Sequence, residues 1–373
     1  MLIWADFPSG QKGLYGQDES KMLNGIWAQF YSASDNPFTS GLQPDPDPEI
    51  GSDGFVLYTP ASTSSSGNSS TGARFALPAE VTTLGIGVRL WMSSLPVDST
   101  HCPYISFRKN DNTDILTLRV STTGQIVAVS GADSNGMNGT PLGTSTPVLT
   151  ANAWQLVEFK VTKGAGTGAL QVKVAGLAVA DLNLSGLALS SSNIAQFQMG
   201  GIDGSGGTGM GVYWKDLVVW DTTGSYINDF QGNIAVYDIV PDGDDSMGWT
   251  PSTGVTGFNL VDEGDTGPDD ADYISADNTL PAPAVFTMTD LPPDVIAVRA
   301  VMPIGRFVKT DGGDCQVLMR VSPNGVDWDP GDDRPITVAN TYWWDKSYVS
   351  PDTSGAWTPS EVDDMLFEID RTV

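Results

Sequence analysis

Two kinds of side chain in this sequence are spaced for chemistry. Asp242, Asp244 and Asp245 form one tight acidic cluster, and Asp327, Asp329, Asp332 and Asp333 form a second. Hard oxygen ligands crowded onto a flexible loop suit calcium, so these seven residues are the candidate metal ligands, and calcium is the only cofactor suggested. Neither cluster has the regular spacing of an EF-hand loop, and solvated acidic loops are the competing reading. The second kind is aromatic. An indole face packs against the apolar C–H surface of a sugar ring, and Trp343-Trp344 is the candidate platform. Adjacent strand residues point to opposite faces, so at least one of the two is expected to be exposed. Trp214 and Trp220 share a parity and are read as packing residues, with Trp154 at the edge of the core.

Other chemistries are poorly supplied. Hydrolysis of a glycosidic bond needs two carboxylates facing each other across it. Residues 1–223 hold only Glu19, Glu49, Glu80 and Glu158, none paired four apart on a strand. The nearest acid pair, Glu368 and Asp370, sits at the C-terminal end, and the chain is read as non-enzymatic. His101 is the sole histidine, which excludes a multi-histidine zinc site. The glycine run GIDGSGGTGMG has no lysine and no following helix, so it is not a phosphate loop.

The elements that would carry these residues are strands. The segment from Trp154 to Asp181 alternates Val157, Phe159 and Val161 against Glu158, Lys160 and Thr162. After the glycine-rich KGAGTGA it resumes with Leu170, Val172 and Val174 against Gln171 and Lys173. A period of two on both sides of a turn predicts a hairpin with one buried face. Further strands follow at short intervals from Ala73 to Asp221, separated by Asn-Gly and glycine-rich turns and with no helical spacing between them. With 42 Gly and 24 Pro along 373 residues, the fold class is all-β: an antiparallel sandwich followed by a second β-sandwich domain.

Charge divides the chain. Residues 1–223 carry 18 acidic and 11 basic side chains, whereas residues 224–373 carry 27 and 7. The formal net charge of −27 repels phosphate backbones, so no nucleic-acid partner is expected. No apolar run is long enough to insert into a membrane, and the N-terminus lacks the pattern of a signal peptide. The resulting division is an N-terminal arm over 1–26, either docking onto a partner or forming a first strand; a sandwich over 27–223; a linker over 224–232; and an acidic domain over 233–373. Near the end, Thr358 or Ser360 is placed to cap a short helical turn containing Glu361.

The order of pieces from about residue 55 to 221 resembles the concanavalin A-like, laminin-G-like jelly roll. The resemblance rests on GIGVRLWMSS, on the hairpin WQLVEFKVTKGAGTGALQVKVAGLAVADL, and on QMGGID before the closing GVYWKDLVVWD. The later VDEGDTGPDDADYISAD, DLPPDVIAVRAVM and SGAWTPSEVDDMLFEID resemble C-terminal domains of tailed-bacteriophage virion proteins. Together these resemblances imply a non-enzymatic structural protein, made in the host cytoplasm and residing in the virion. Its partners would be other virion proteins, copies of itself (a trimer) and a host-surface polysaccharide bound by the lectin-like domain. A tail fibre, tip or minor tail protein is the first reading; a head decoration protein and a free bacterial glycan-binding module are the alternatives.

Overall fold

A computed structural model describes residues 69–98, 102–131, 139–203, 210–223, 228–233, 235–262, 271–277 and 279–373, and the strand backbones at 2–5, 13–14, 20–23, 26–32, 41–44 and 55–58. His101, the Ser/Thr-rich stretch before residue 69, the acidic-proline loop after Pro44 and most of the glycine run lie outside the described residues. The chain forms two compact units, Met1–Val236 and Tyr237–Val373.

In the first unit, two antiparallel sheets, one of ten strands and one of eight, enclose an apolar core. It is a jelly-roll-type sandwich. The hairpin strands Gln155–Thr162 and Ala165–Val174 pair Val157 with Val174, Phe159 with Val172 and Val161 with Leu170, so the apolar parity of both strands falls on one face. Thr83–Met92 pairs beside them and sends Ile86, Val88 and Leu90 the same way. From the opposing sheet come Phe75, Ile105, Phe107 and Phe197. Phe75 and Phe197 stack at 4.7 Å. Each such side chain taken out of water contributes about 1.5–3 kcal/mol. At the N-terminus, the Leu2–Ala5 backbone pairs with Val212–Asp221, and Ser20–Leu23 pairs with Ile26–Ser32.

Val212–Asp221 is irregular, and the irregularity decides which of its side chains reach the core. Its register against Thr83–Met92 shifts between Lys215 and Val218, where Asp216 takes a φ of +53°. One extra residue reverses the alternation. Trp214 therefore points into the core with Leu217 and Val219, while Trp220 and Val218 turn to the outer face of the ten-stranded sheet. The shared parity read from the sequence does not survive this bulge.

The second unit is built on a five-stranded antiparallel sheet in the order Pro241–Met247, Ala284–Met288, Leu366–Arg371, Gln316–Ser322, Arg334–Pro335. Two two-stranded ribbons, Thr250–Pro251 with Ile274–Ser275 and Ile304–Phe307 with Thr341–Trp344, accompany it. Phe286, Met319, Val321 and Trp357 lie in its core. The run VIAVRAVMPIGRFVK reads as a strand; its Ile304–Phe307 part is one, but ahead of that only Val301 bridges, to Ser347. Ile296 is 93% exposed. Pro292 and Pro293, four and three residues earlier, offer no N–H to a ladder, so pairing does not extend into the run from that side.

Thr358 is the cap of the helix Pro359–Asp363. Its hydroxyl accepts from the Glu361 amide at 3.3 Å, and the Glu361 carboxylate accepts from the Thr358 amide at 2.7 Å. Thr358→Ala should cost the second unit about 1 kcal/mol, read as a lower urea midpoint at unchanged slope.

Candidate functional site

The outer face of the ten-stranded sheet carries a row of aromatic rings. The residues of Gln155–Thr162 that alternate with Val157 and Phe159 point outward, and that parity extends back to Trp154. Facing them on Thr83–Met92 are Arg89 and Trp91, and on the next strand Tyr213 and Lys215, since Tyr213 pairs with Trp91 and Lys215 with Arg89. Trp154, Trp91 and Tyr213 thus sit on three neighbouring strands at one end of the sheet, all partly exposed. Trp91 and Tyr213 meet edge-to-face at 5.2 Å. The Lys215 ammonium lies 4.3 Å from the centre of the Trp154 ring. Arg89 Nε is held 2.7 Å from Asp216, and its Nη2 donates to Asn233 at 2.8 Å. Burial raises the Tyr213 phenol above its usual value, so it stays a neutral donor.

Rings spaced by one strand repeat, about 4.8 Å, match the scale of a pyranose. Their faces can take its C–H surface while Lys215 and the phenol address hydroxyl or carboxylate groups. The sequence reading placed Trp154 at the core edge; the structure puts it on the outer face. The signal was present, because Trp154 shares the parity of Glu158 and Lys160. That Trp91 and Tyr213 adjoin it is set by strand pairing, which the local sequence does not carry.

Below the row, residues 228–233 and 235–236 lie across the same face as a strap. The Gln231 and Gly232 amides donate to Glu158 Oε1 at 2.7 and 3.0 Å. The Val236 amide donates to Asp216 Oδ1 at 3.0 Å. Asp229 pairs with Lys160 at 2.9 Å, and Phe230 packs on Trp220 with ring centres 6.2 Å apart. Glu158 and Lys160, read as a solvated hairpin face, are therefore under cover, and Glu158 is fully buried. The Glu158 and Asp216 carboxylates are both committed to holding backbone.

The opposite outer face, on the eight-stranded sheet, carries a buried polar network. Arg108 Nε lies 2.6 Å from Asp114, and its Nη1 donates to Gln198 at 2.5 Å. Gln198 donates in turn to the Tyr104 hydroxyl, and Ser106 and Thr117 bond at 3.0 Å. This is a structural polar layer whose bonds tie neighbouring strands of one sheet together.

In the second unit, Trp343 and Trp344 lie on the strand Thr341–Trp344, partly exposed and each faced by a cation: Arg334 at 5.7 Å and Lys346 at 4.6 Å from the respective ring centres. Trp343 also packs against the core and donates to the Pro335 carbonyl at 3.1 Å. The first acidic cluster is not a loop. Asp242, Asp244 and Asp245 lie on Pro241–Met247, an edge strand broken by two register shifts, where outward charges discourage further strand pairing. Asp244 accepts the Gly257 and Phe258 amides at 2.8 and 2.7 Å, and Asp242 accepts from Thr287 at 2.7 Å. The second cluster is likewise dispersed over separate partners. Asp327 bonds Asn324, Asp329 bonds Ser347, Asp332 pairs with Arg334 and Asp333 bonds Thr372. Among the described residues no three acidic, histidine or cysteine side chains converge on a point where a metal ion would sit.

No family model matches the chain, and no curated protein matches it. Solved structures align with it at low similarity. One, titled for the cell entry of botulinum neurotoxin type C through interaction with two ganglioside molecules, aligns at 10% identity and a TM-score of 0.35, covering 57% of this chain and 48% of that one. A Trypanosoma rangeli sialidase aligns at 13% identity and 0.33, covering 57% and 30%. A family 7 alginate lyase, A1-II′, aligns at 15% and 0.34, covering 48% and 80%. The chain spans about half or less of the toxin and sialidase chains. These values are too low to transfer a ligand or a reaction, and the all-β assignment stands on the sheets themselves.

Proposed function

We propose that the chain is a non-enzymatic glycan-binding protein and that the Trp154–Trp91–Tyr213 row is its sugar platform. The observation that carries this reading is the in-register placement of three partly exposed rings on adjacent strands, with Lys215 and Arg89 beside them. The acids on the same face argue against hydrolysis, because Glu158, Asp216 and Asp229 are held by amides or cations instead of facing one another across an open groove. Single-site affinity on so shallow a surface is weak and becomes useful when many copies act together. That multiplicity suits the setting supported by the C-terminal sequence resemblance, a structural component of a tailed-phage virion attaching to host polysaccharide. Head decoration and free bacterial module are the alternatives, and locating the protein in an electron-microscopy map of purified particles separates them.

The platform is tested by a glycan array followed by titration of the best ligand. Trp91→Ala should weaken binding about tenfold, equivalent to about 1.4 kcal/mol. Trp344→Ala should leave it unchanged. Binding that survives Trp91→Ala but not Trp344→Ala would move the site to the second unit. Turnover of any polysaccharide on the panel would overturn the non-enzymatic reading.

A further inference from the structure

We propose that residues 294–299 are the docking strand of a two-fold dimer, in which two copies of this chain pair antiparallel through that segment. The run reads DVIAVR, rich in the β-branched residues that suit a pleated ladder. Residues 295–300 are nevertheless neither helix, nor turn, nor paired strand, and none of them has a positive φ. The chain enters a pairing only at Val301, which bridges Ser347. At the other end, the Val295 amide donates to the Pro292 carbonyl at 3.0 Å. Between those points, the N–H and C=O groups of residues 296–300 meet no hydrogen-bond partner among the described residues. A row of unmade backbone bonds is a template for another strand. Strand addition satisfies it through the main chain, and the side chains choose the partner.

Here the side chains choose a second copy. Asp294 and Arg299 are both exposed, and neither side chain holds an ion pair, hydrogen bond or ring contact among the described residues. For the arginine this is an exception within its unit. Residues 224–373 carry seven basic side chains against 27 acidic ones, and the other six basic groups all have a partner. Turned about a two-fold axis between Ile296 and Ala297, the run complements itself. Asp294 of one copy faces Arg299 of the other, Val295 faces Val298, and Ile296 faces Ala297.

Opposite charges directly across a ladder favour this register. A shift by one residue in either direction sets both charges against uncharged residues. Pro293 falls opposite Ala300 and, having no N–H, ends the ladder there. The pairing also brings Ile296, which stands almost wholly in water, beside apolar side chains of the second copy. Such a contact uses the same patch on both copies, so it closes on two. The acidic surface of the unit opposes association. At about 0.15 M salt, charges more than about 8 Å apart are screened far more than the pairs in contact.

Sedimentation velocity of the full chain at that salt, from about 1 µM to about 200 µM, tests this, because one short strand pair is a small interface. The weight-average mass should rise with concentration from one copy towards two. Arg299→Asp sets like charges at both ends of the ladder and should raise the dissociation constant about tenfold, and Asp294→Arg should do the same. Combining the two substitutions swaps each pair and should restore association. Hydrogen exchange locates the contact: protection within residues 296–300 should grow with concentration. A chain that stays monomeric throughout, or a dimer whose residues 296–300 remain unprotected, would overturn the proposal. So would single reversals that associate like the parent, or that the double variant does not rescue. None of these readouts depends on whether a sugar binds the aromatic row.

Discussion

Replacing Arg108 with leucine is expected to destabilise the first unit by about 3–5 kcal/mol, the cost of breaking a buried ion pair from one side. Arg108 is 3% exposed and reaches both Asp114 and Gln198, so the leucine takes a buried cation away from a buried carboxylate and from an amide oxygen. Coulombic attraction does not set this figure. The desolvated Asp114 does, and it is only 5% exposed. Thermal unfolding followed by near-ultraviolet circular dichroism should show the melting temperature falling by roughly 6–20 °C. Arg108→Lys keeps the charge without the planar fork and should fall between. A leucine variant as stable as the parent would mean that Asp114 finds water or another donor, and the polar layer would then be a surface feature.

The two tryptophans of the closing strand should separate cleanly. Trp214→Ala removes a side chain from the centre of the core and should cost about 3–5 kcal/mol in global unfolding. Trp220 is equally buried, but its neighbours are Gly85, Gly87 and Phe230 on the outer face. Trp220→Ala should act first on the strap, abolishing protection at the Gln231 and Gly232 amides while the sandwich still folds. Equal global destabilisation with an intact strap would contradict the assignment of the two rings to different layers.

These contrasts show which parts of the molecule a reader of the sequence could see. Val157, Phe159, Val161 and their partners Leu170, Val172 and Val174 announce their own face, because alternation is a local property and the core needs nothing else from them. The same logic extended to Trp214 and Trp220 fails, since nothing in KDLV marks Asp216 as the residue that adopts a positive φ. Glu158 and Lys160 read as solvated because their covers, Gln231 and Asp229, are about seventy residues away along the chain. Asp242 to Asp245 read as loop by composition, yet strand Ala284–Met288 is there to pair with them at an edge. Long-range pairing decides each of these cases. The aromatic row is intermediate: the parity of Trp154 was legible, and its adjacency to Trp91 and Tyr213 was not.

The bulge at Asp216 makes one strand behave as two reading frames joined by a single residue. Before it, even-numbered side chains serve the core; after it, odd-numbered ones do. A length change of one residue here is consequently a different kind of event from a substitution. Deleting Asp216 would remove the extra residue and leave Val219 inward and Trp220 outward, whereas a straight strand that kept Asp216 would exchange every layer beyond it, sending Val219 outward and Trp220 into a core already filled. Comparing variants of this strand residue by residue would miss that exchange. The quantity to align is its phase.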